Sequence, residues 1–233
     1  MKSRIFLGLM LTLALALFVA ACGHAGNHNG MNHAATATNS NSPMNMNAMN
    51  HNSMPMNSNS NMSNMNHSEM KSSPNATSAP FDLQFIDTMT HHHQGAIDMA
   101  KTALQKTQNV ELKKFAQKII DDQNKEIAEM KEWRDKWYAG KPAAMNMEMP
   151  GMSDSMKMMT GDEMKKFEAA TGKEFDVLFL DMMTPHHAGA VEMAKDALAK
   201  AEHQEIKTLS NNIIKAQEAE IKQMADWKTK WSK

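Results

Sequence analysis

The sequence predicts an all-α protein: a four-helix bundle made of two repeated helical hairpins, with a disordered N-terminal tail rich in Met and Asn. Residues 81–138 recur as residues 175–232 at a constant offset of 94 positions, without a gap, and about half of the paired positions are identical. Within each copy, apolar residues recur every three or four positions, as on one face of a helix. No segment shows the alternation of a strand. The repeat therefore indicates one duplicated folding unit whose copies bury their apolar faces against each other.

Residues 1–22 are predicted to be a lipoprotein signal peptide. Lys2 and Arg4 precede an apolar run at residues 5–19, which is too short to cross a bilayer comfortably. Residues 19–22 (VAAC) resemble a bacterial lipobox, which implies cleavage before Cys22 and attachment of lipid to its sulfur. The alternative is an ordinary signal peptide with an incidental cysteine. The first interpretation places the protein in the bacterial cell envelope, lipid-anchored on the periplasmic or extracellular side.

Cysteine usage and charge exclude several classes of function. Cys22 is the only cysteine, so the folded part has no intrachain disulfide and no thiolate ligand for a metal. The formal net charge is −1 and basic residues form no cluster, which argues against a nucleic-acid partner. We expect membrane contact through the lipid anchor only.

Residues 23–79 are predicted to be a disordered tail. They contain Asn, Met, Ser and His but no Leu, Ile, Val or aromatic residue, so they cannot bury enough apolar area to offset the entropy of ordering. Of the 26 methionines in the chain, 17 lie at 23–79 and 141–165, two segments expected to be flexible, where packing would not explain them. Such stretches resemble copper-collecting tails; compositional drift in a low-complexity segment is the alternative.

The bundle is predicted to span residues 80–233. In the first hairpin, residues 80–140, Pro80 suits the opening turn of a helix, and Asn109 is a candidate N-cap for the second helix. Gly140 is placed to end that helix. Two such hairpins, each with a wide apolar stripe on both helices, close most simply as a four-helix bundle.

The second hairpin is predicted at residues 174–232, and a Met-rich linker at 141–173 joins the two copies. Within this linker, Thr160 and Glu163 have the spacing of a capping box, which predicts a short helix before Gly172.

Histidines and methionines that recur in both copies form a candidate metal site. Met89 lies three residues before His92 and four before His93, so the three side chains share one side of a helix. The full candidate ligand set is Met89, His92, His93, Met99, Met183, His186, His187 and Met193. If the copies pack about a pseudo-twofold axis, both clusters face one interior. Thioether and imidazole donors suit Cu(I) and also Ag(I).

Structural roles are the alternative for each of these residues. A lone helical histidine is usually a satisfied core group, but burying four without partners costs a few kcal/mol each, roughly, so matched pairs favour metal binding. His91 is an accessory candidate because its counterpart is Pro185. Met130 and Met224 are interpreted as core filler. Four further polar residues recur and are either partners that fix the tautomer of the histidines or solvated edge positions: Gln123, Glu126, Gln217 and Glu220.

The second copy of the repeat also carries a family signature. Residues 175–194 (FDVLFLDMMTPHHAGAVEMA) strongly resemble the signature of the domain of unknown function 305 family, and residues 81–100 have the same pattern with His91 in place of proline. The resemblance covers about residues 80–232. It implies a ferritin-like four-helix bundle in an exported bacterial protein. Copper-binding, CopM-like members use Met and His ligands, which implies that the eight candidate ligands are the positions to examine.

The leading hypothesis is an exported protein, not an enzyme, that sequesters or transfers Cu(I) in copper homeostasis or resistance. The metal ion is its expected cargo, and a copper-handling envelope protein is a candidate partner. One alternative is a ferritin-like, iron-dependent oxidoreductase, but di-iron sites in such bundles use Glu-x-x-His motifs, and Met89 and Met183 occupy the position of that glutamate. The other alternative is an envelope interaction module that binds no metal.

Overall fold

The computed structural model describes residues 71–157 and 159–231, and these residues confirm the all-α prediction. They contain no strand and form one 3-10 helix, Ala76–Ser78, and six α-helices: α1 Phe81–Lys106, α2 Val110–Trp137, α3 Met152–Lys157, α4 Gly161–Ala169, α5 Gly172–Lys200 and α6 Gln204–Trp231. None of the helices described is long and apolar enough to cross a membrane. The predicted signal peptide, Cys22 and the tail as far as residue 70 lie outside the described residues.

Helix boundaries follow local signals in the sequence. Asn109 caps α2: its side-chain oxygen accepts hydrogen bonds from the N–H groups of Glu111 and Leu112, at 2.9 and 3.3 Å. The short helix predicted after Thr160 is α4, but its cap differs from the prediction. The Thr160 hydroxyl donates backwards to the carbonyl of Lys157 at 3.2 Å and makes no capping bond to α4.

The four long helices form the bundle. α1 packs against α2, α5 against α6, and α1 against α5. Contacts between side chains join α2 to α6: Lys118 Nζ lies 2.7 Å from Glu220 Oε1, and the Phe115 ring meets Trp227 edge-on at 5.2 Å. The apolar side chains of all four helices meet in one core, as the four-helix-bundle prediction requires.

Each hairpin holds the interhelical loop of the other through a buried aspartate. Asp82, in the first turn of α1, accepts hydrogen bonds from the N–H groups of Glu202 and His203, just before α6, at 3.0 and 2.9 Å. Asp176 has the equivalent position in α5 and accepts a hydrogen bond from the Thr107 hydroxyl, in the loop before α2, at 2.5 Å. A buried carboxylate needs such donors, so each copy completes the loop of the other.

The linker is packed, and the expectation that packing cannot explain its methionines is wrong. Five of them are buried in the core: Met149, Met152, Met156, Met159 and Met164. α3 lies against α5. Unbranched thioether side chains fill irregular gaps well, so a composition that is typical of low complexity also suits a short segment folded over a bundle.

Two glycines permit the close approach of the linker to α1 and α5. A Cβ on Gly189 would lie 2.5 Å from the carbonyl oxygen of Gly151 and 2.7 Å from Ser155 Cβ. Gly95 has the equivalent position in α1, but a Cβ there would first meet Met159 Cε, at 2.8 Å, which is the end of a flexible side chain. The two copies therefore tolerate a side chain at this position differently.

We expect Gly189→Ala to destabilise the protein and Gly95→Ala to be nearly neutral. Helix propensity favours alanine by about 1 kcal/mol at either site. At Gly189 the new methyl group meets backbone, so overpacking should outweigh that gain and leave a net loss of about 1–3 kcal/mol. Urea unfolding of the two variants checks this. Equal effects of both substitutions would contradict the docking of α3 on α5.

Candidate metal centre

All eight predicted ligands lie in the interior of the bundle. Met89, Met99, Met183 and Met193 are buried without measurable exposure, and so are the four histidines. The two clusters come from α1 and α5, the helices that pack together at the centre. The interior-facing placement predicted from the repeat is therefore present in the structure.

The four histidines form two pairs with different surroundings. The rings of His92 and His186, here called the inner pair, contact each other across the two hairpins with centroids 3.8 Å apart and planes tilted by 39°. His93 and His187 are here called the outer pair. Between ring centroids, His93 lies 6.3 Å from His92, and His187 lies 6.5 Å from His186. The sequence did not distinguish the pairs, because adjacent histidines differ only in the direction they take from the helix.

Each histidine of the outer pair has a glutamate partner in its own hairpin. His187 Nε2 donates a hydrogen bond to Glu220 Oε2 at 2.8 Å. Glu126 Oε2 lies 2.7 Å from His93 Nε2, but off the direction of the ring N–H, so this contact is electrostatic and lacks hydrogen-bond geometry. Both glutamates thus contact a histidine, as the first of their two interpretations requires. A carboxylate on one ring nitrogen orients the imidazole and leaves Nδ1 for a metal.

Gln123 and Gln217 behave differently from the glutamates. Both are buried, which rules out the solvated-edge interpretation, and the side-chain oxygen of each has no hydrogen-bond partner. They supply two further unpaired acceptors inside the bundle.

The hydrogen bonds around His92 determine its tautomer. Ser155 Oγ lies 2.8 Å from the carbonyl oxygen of Gly151 and 2.9 Å from that of Met152. Carbonyls only accept, so the single hydroxyl proton goes to one of them, and the serine accepts from His92 Nε2–H at 3.0 Å. In the neutral ring, Nδ1 of His92 then carries a lone pair.

Several imidazole nitrogens are buried without a partner. Nδ1 of every one of the four histidines lacks a hydrogen-bond partner, and so does Nε2 of His186 and of His93, whose only contact there is the electrostatic one with Glu126. Burying a polar atom without a hydrogen bond costs about 1–3 kcal/mol. Four histidines with this deficit in one apolar interior are not explained by stability. A bound metal ion would satisfy nitrogen lone pairs directed into such a site.

Electrostatics keep the inner pair uncharged and Glu220 ionised. Burial lowers the pKa of His92 and His186 well below the ordinary value of 6.5, and neighbouring imidazoles lower it further. Burial alone would raise the pKa of Glu220, but the hydrogen bonds and charges of His187 and Lys118 lower it below 4.5. Neutral imidazole is the form that binds a metal.

The donor set fits a soft ion. Among residues 71–157 and 159–231, no three His, Cys, Asp or Glu side chains are grouped closely enough to hold a metal by themselves. Half of the predicted set is thioether, and thioether with imidazole is the combination that favours Cu(I) over hard cations. A soft metal ion here would be held by fully buried donors.

Other recurrent residues have structural contacts. The hydroxyls of Thr90 and Thr184 contact the sulfurs of Met130 and Met224, at 3.9 and 3.8 Å, and both methionines are fully buried, in agreement with their interpretation as core filler. His91, the accessory candidate, is only half-buried.

Sequence reasoning missed Ser155 and Met159. Both come from the linker, outside the repeat, and both are fully buried beside the inner pair. The only signal for Met159 was the Met-rich composition of the linker, and none existed for Ser155.

We expect His186→Leu to leave the metal-free protein as stable as the wild type or more stable, because it removes two unpaired buried nitrogens. His187→Leu should instead destabilise the protein by about 1–3 kcal/mol, since it deprives the buried Glu220 of a donor. Urea unfolding in the presence of a chelator checks both. A larger loss for His186→Leu than for His187→Leu would contradict the division into two pairs.

The free energy of unfolding of the metal-free protein should decrease as the pH is lowered below about 6.5. There the unfolded chain protonates His92 and His186 while the folded state, in which their pKa is lowered, does not. The unfolded state binds more protons, so the free energy of unfolding decreases as pH falls, by up to about 1.4 kcal/mol per pH unit for each group. Denaturant unfolding between about pH 7.5 and about pH 5.5 measures this. A His92→Leu/His186→Leu double variant should flatten the slope; an unchanged slope would contradict the assignment.

Comparison with solved structures finds the same fold in metal-bound proteins. The chain is similar to CopM in its Cu(II)-bound, Cu(I)-bound and Ag-bound forms, with identities of 44, 40 and 42% and TM-scores of 0.55, 0.53 and 0.52. The match to the Cu(II)-bound form covers 64% of this chain and 97% of CopM. A DUF305 protein from Streptomyces coelicolor is 32% identical, with a TM-score of 0.58, over 66% of this chain and 93% of the other.

Comparison with family models agrees with the signature in the repeat. Among curated proteins, none matches the sequence. The model of the domain of unknown function DUF305 matches residues 24–134 and residues 82–228, and the second match alone spans both His-His pairs. The chain belongs to the DUF305 family.

Proposed function

We propose that this protein binds Cu(I) outside the cytoplasm and sequesters it or transfers it onward, in copper homeostasis or resistance. The proposed ligands are the imidazoles of the two His-His pairs and the four methionine thioethers that recur with them. Ag(I), which has the same preference for soft donors, is the second candidate cargo. Binding and releasing a metal ion requires no chemical conversion, so we propose a binding protein and not an enzyme.

The observation that carries this proposal is the set of unpaired nitrogens. His93 and His186 have two each, and His92 and His187 have one each, in an interior that also contains the four fully buried thioethers. Stability would favour leucine at such positions, because unpaired buried nitrogens cost free energy. A function that needs nitrogen lone pairs next to sulfur explains their presence, and soft-metal binding is such a function.

Similarity to CopM supports the choice of metal. CopM has been crystallised with Cu(I), Cu(II) and Ag, and it shares 40–44% of its residues with this chain. Thioether ligands favour the monovalent state of copper, which is why we propose Cu(I) as the cargo.

Export and anchoring belong to the same proposal and rest on the sequence of residues 1–22. We propose that the chain is cleaved before Cys22, that this cysteine carries lipid, and that the bundle faces the periplasmic or extracellular side of the envelope. A lipid-anchored copper carrier would exchange its cargo with another copper-handling envelope protein. The Met-rich tail at residues 23–79 would collect soft ions for the bundle.

The ferritin-like iron alternative has less support. A di-iron site takes a glutamate three residues before each histidine, and the side chains there are Met89 and Met183, both fully buried. Glu126 and Glu220 contact the outer pair from separate hairpins, which suits carboxylates that orient histidines.

The purified protein should bind several equivalents of Cu(I), and replacing His92, His93, His186 and His187 by Ala should abolish the tightest site. The quadruple variant lacks the imidazole donors of the tightest site, so that site should be lost. The methionines of the tail should still provide weaker Cu(I) sites. Competition with a chromophoric Cu(I) chelator under anaerobic conditions measures the affinity of each site. Unchanged tight binding in the quadruple variant would refute the core site.

Methionine variants provide a matched control. Met89→Leu/Met183→Leu should weaken the tightest site, because leucine keeps the volume but not the sulfur. Met130→Leu/Met224→Leu, which alters two equally buried methionines assigned to the core, should leave affinity unchanged. A larger effect in the second pair would show that the ligand set is wrongly chosen.

A further inference from the structure

The linker lies directly over the histidine cluster. Gly95 and Gly189 occupy equivalent positions, three residues after His92 and His186, and each is covered by a linker residue. The positions of the missing side chains are filled by Met159 over Gly95 and by Ser155 over Gly189. The repeat thus provides two openings in the helix surface next to the inner pair, and one segment of chain covers both.

Ser155 and Met159 are four residues apart, at the end of α3 and in the turn that follows. The turn bond from Met159 N–H to the carbonyl of Met156, 3.0 Å, holds the methionine in this turn. Both side chains are fully buried. The linker therefore directs one polar and one thioether side chain into the bundle.

Each of these side chains approaches a different histidine of the inner pair. Ser155 Oγ is 3.0 Å from His92 Nε2. Met159 Sδ and His186 Nε2 both lie above Gly95, at 3.1 and 3.4 Å from the place a Cβ would take. The thioether is thus beside the His186 imidazole, and both ring nitrogens of His186 lack a hydrogen-bond partner.

The two contacts differ in whether they give the histidine nitrogen a hydrogen-bond partner. Serine forms a hydrogen bond that fixes the His92 tautomer. Methionine has no proton to donate, so it cannot satisfy the lone pair of His186. If it were only core filler, the cost of burying that nitrogen would stay uncompensated. A soft metal ion held between sulfur and nitrogen would satisfy both groups.

We propose that Met159 supplies a thioether ligand to the metal bound by His186, so that the linker is part of the metal site. This inference rests on the proposed function and deepens it: the two hairpins alone do not complete the site. It predicts one unequal position in an otherwise duplicated centre, because Ser155 takes the corresponding place beside His92.

The test uses Ag(I), which is diamagnetic and does not change oxidation state, and the full mature chain labelled with ¹³C at the methionine methyl groups. Met159→Leu identifies the Met159 signal by its disappearance. On addition of a first, substoichiometric portion of Ag(I), we expect the Met159 methyl signal to shift with those of the ligands in the repeat. A Met159 signal that stays in place while the repeat methionines shift would overturn the proposal.

Affinity provides the second measurement. Met159→Leu should weaken the tightest Cu(I) site by about tenfold or more, equivalent to about 1.4 kcal/mol. Met164→Leu, in the next helix of the same buried linker, is the matched control and should bind as the wild type does. Wild-type affinity in Met159→Leu would overturn the assignment of this ligand.

The failure of this inference is distinguishable from the failure of the proposed function. If the wild type does not bind Ag(I) or Cu(I) in the bundle, both are overturned. If the wild type binds and Met159→Leu binds equally well, only the ligand role of Met159 is overturned. Should Met159→Leu fold poorly, the Met159 methyl signal, assigned instead by triple-resonance methods in the wild type, still decides.

Discussion

The constraint that the rest of the structure has to satisfy is the burial of four imidazole rings inside a bundle made of two copies of one hairpin. A ring nitrogen transferred from water into an apolar interior loses its hydrogen bonds, and here several recover none. The rest of the bundle compensates for this loss. Four long helices supply a large apolar core, glutamates hold the outer pair, and the reciprocal contacts of Asp82 and Asp176 tie each hairpin to the loop of the other. Such an arrangement keeps the donors in place and away from bulk solvent.

Duplication and its interruption by the linker explain the geometry together. The repeat doubles the His–Glu contact, the Thr–Met contact and the glycine after each His-His pair. One linker cannot present the same residue to both copies, so it presents Ser155 to one and Met159 to the other. The helices therefore contribute equivalent residues to the two halves of the candidate metal centre, whereas the linker contributes a different residue to each half. Complete burial of the four rings also means that a metal could enter only if part of this cover moved.

Much of the fold and of the candidate site was predictable from helical spacing, recurrence and capping chemistry. Helical spacing and recurrence at a fixed offset predicted the positions of His92 and His186. Asn109 indicated the start of α2, because its side chain can cap a helix N-terminus. The burial of the linker was not predictable in this way. Met152, Met156 and Met159 look like low-complexity sequence, because whether a methionine is flexible or packed depends on what lies opposite it. Here the linker packs on α5 and α1, and that contact is known only after folding.

The sequence by itself determined the helical class, the duplication, the two His-His pairs and their thioether neighbours, since all of these are periodic properties of the chain. Only the tertiary structure decided which histidines meet across the hairpins and which turn to a glutamate, because adjacent residues on a helix differ by the direction of their side chains and not by their type. It also decided that Ser155 and Met159 join the site. The two glycines leave room for the linker to reach the inner pair, and that proximity arises from packing, which spacing along the chain does not encode.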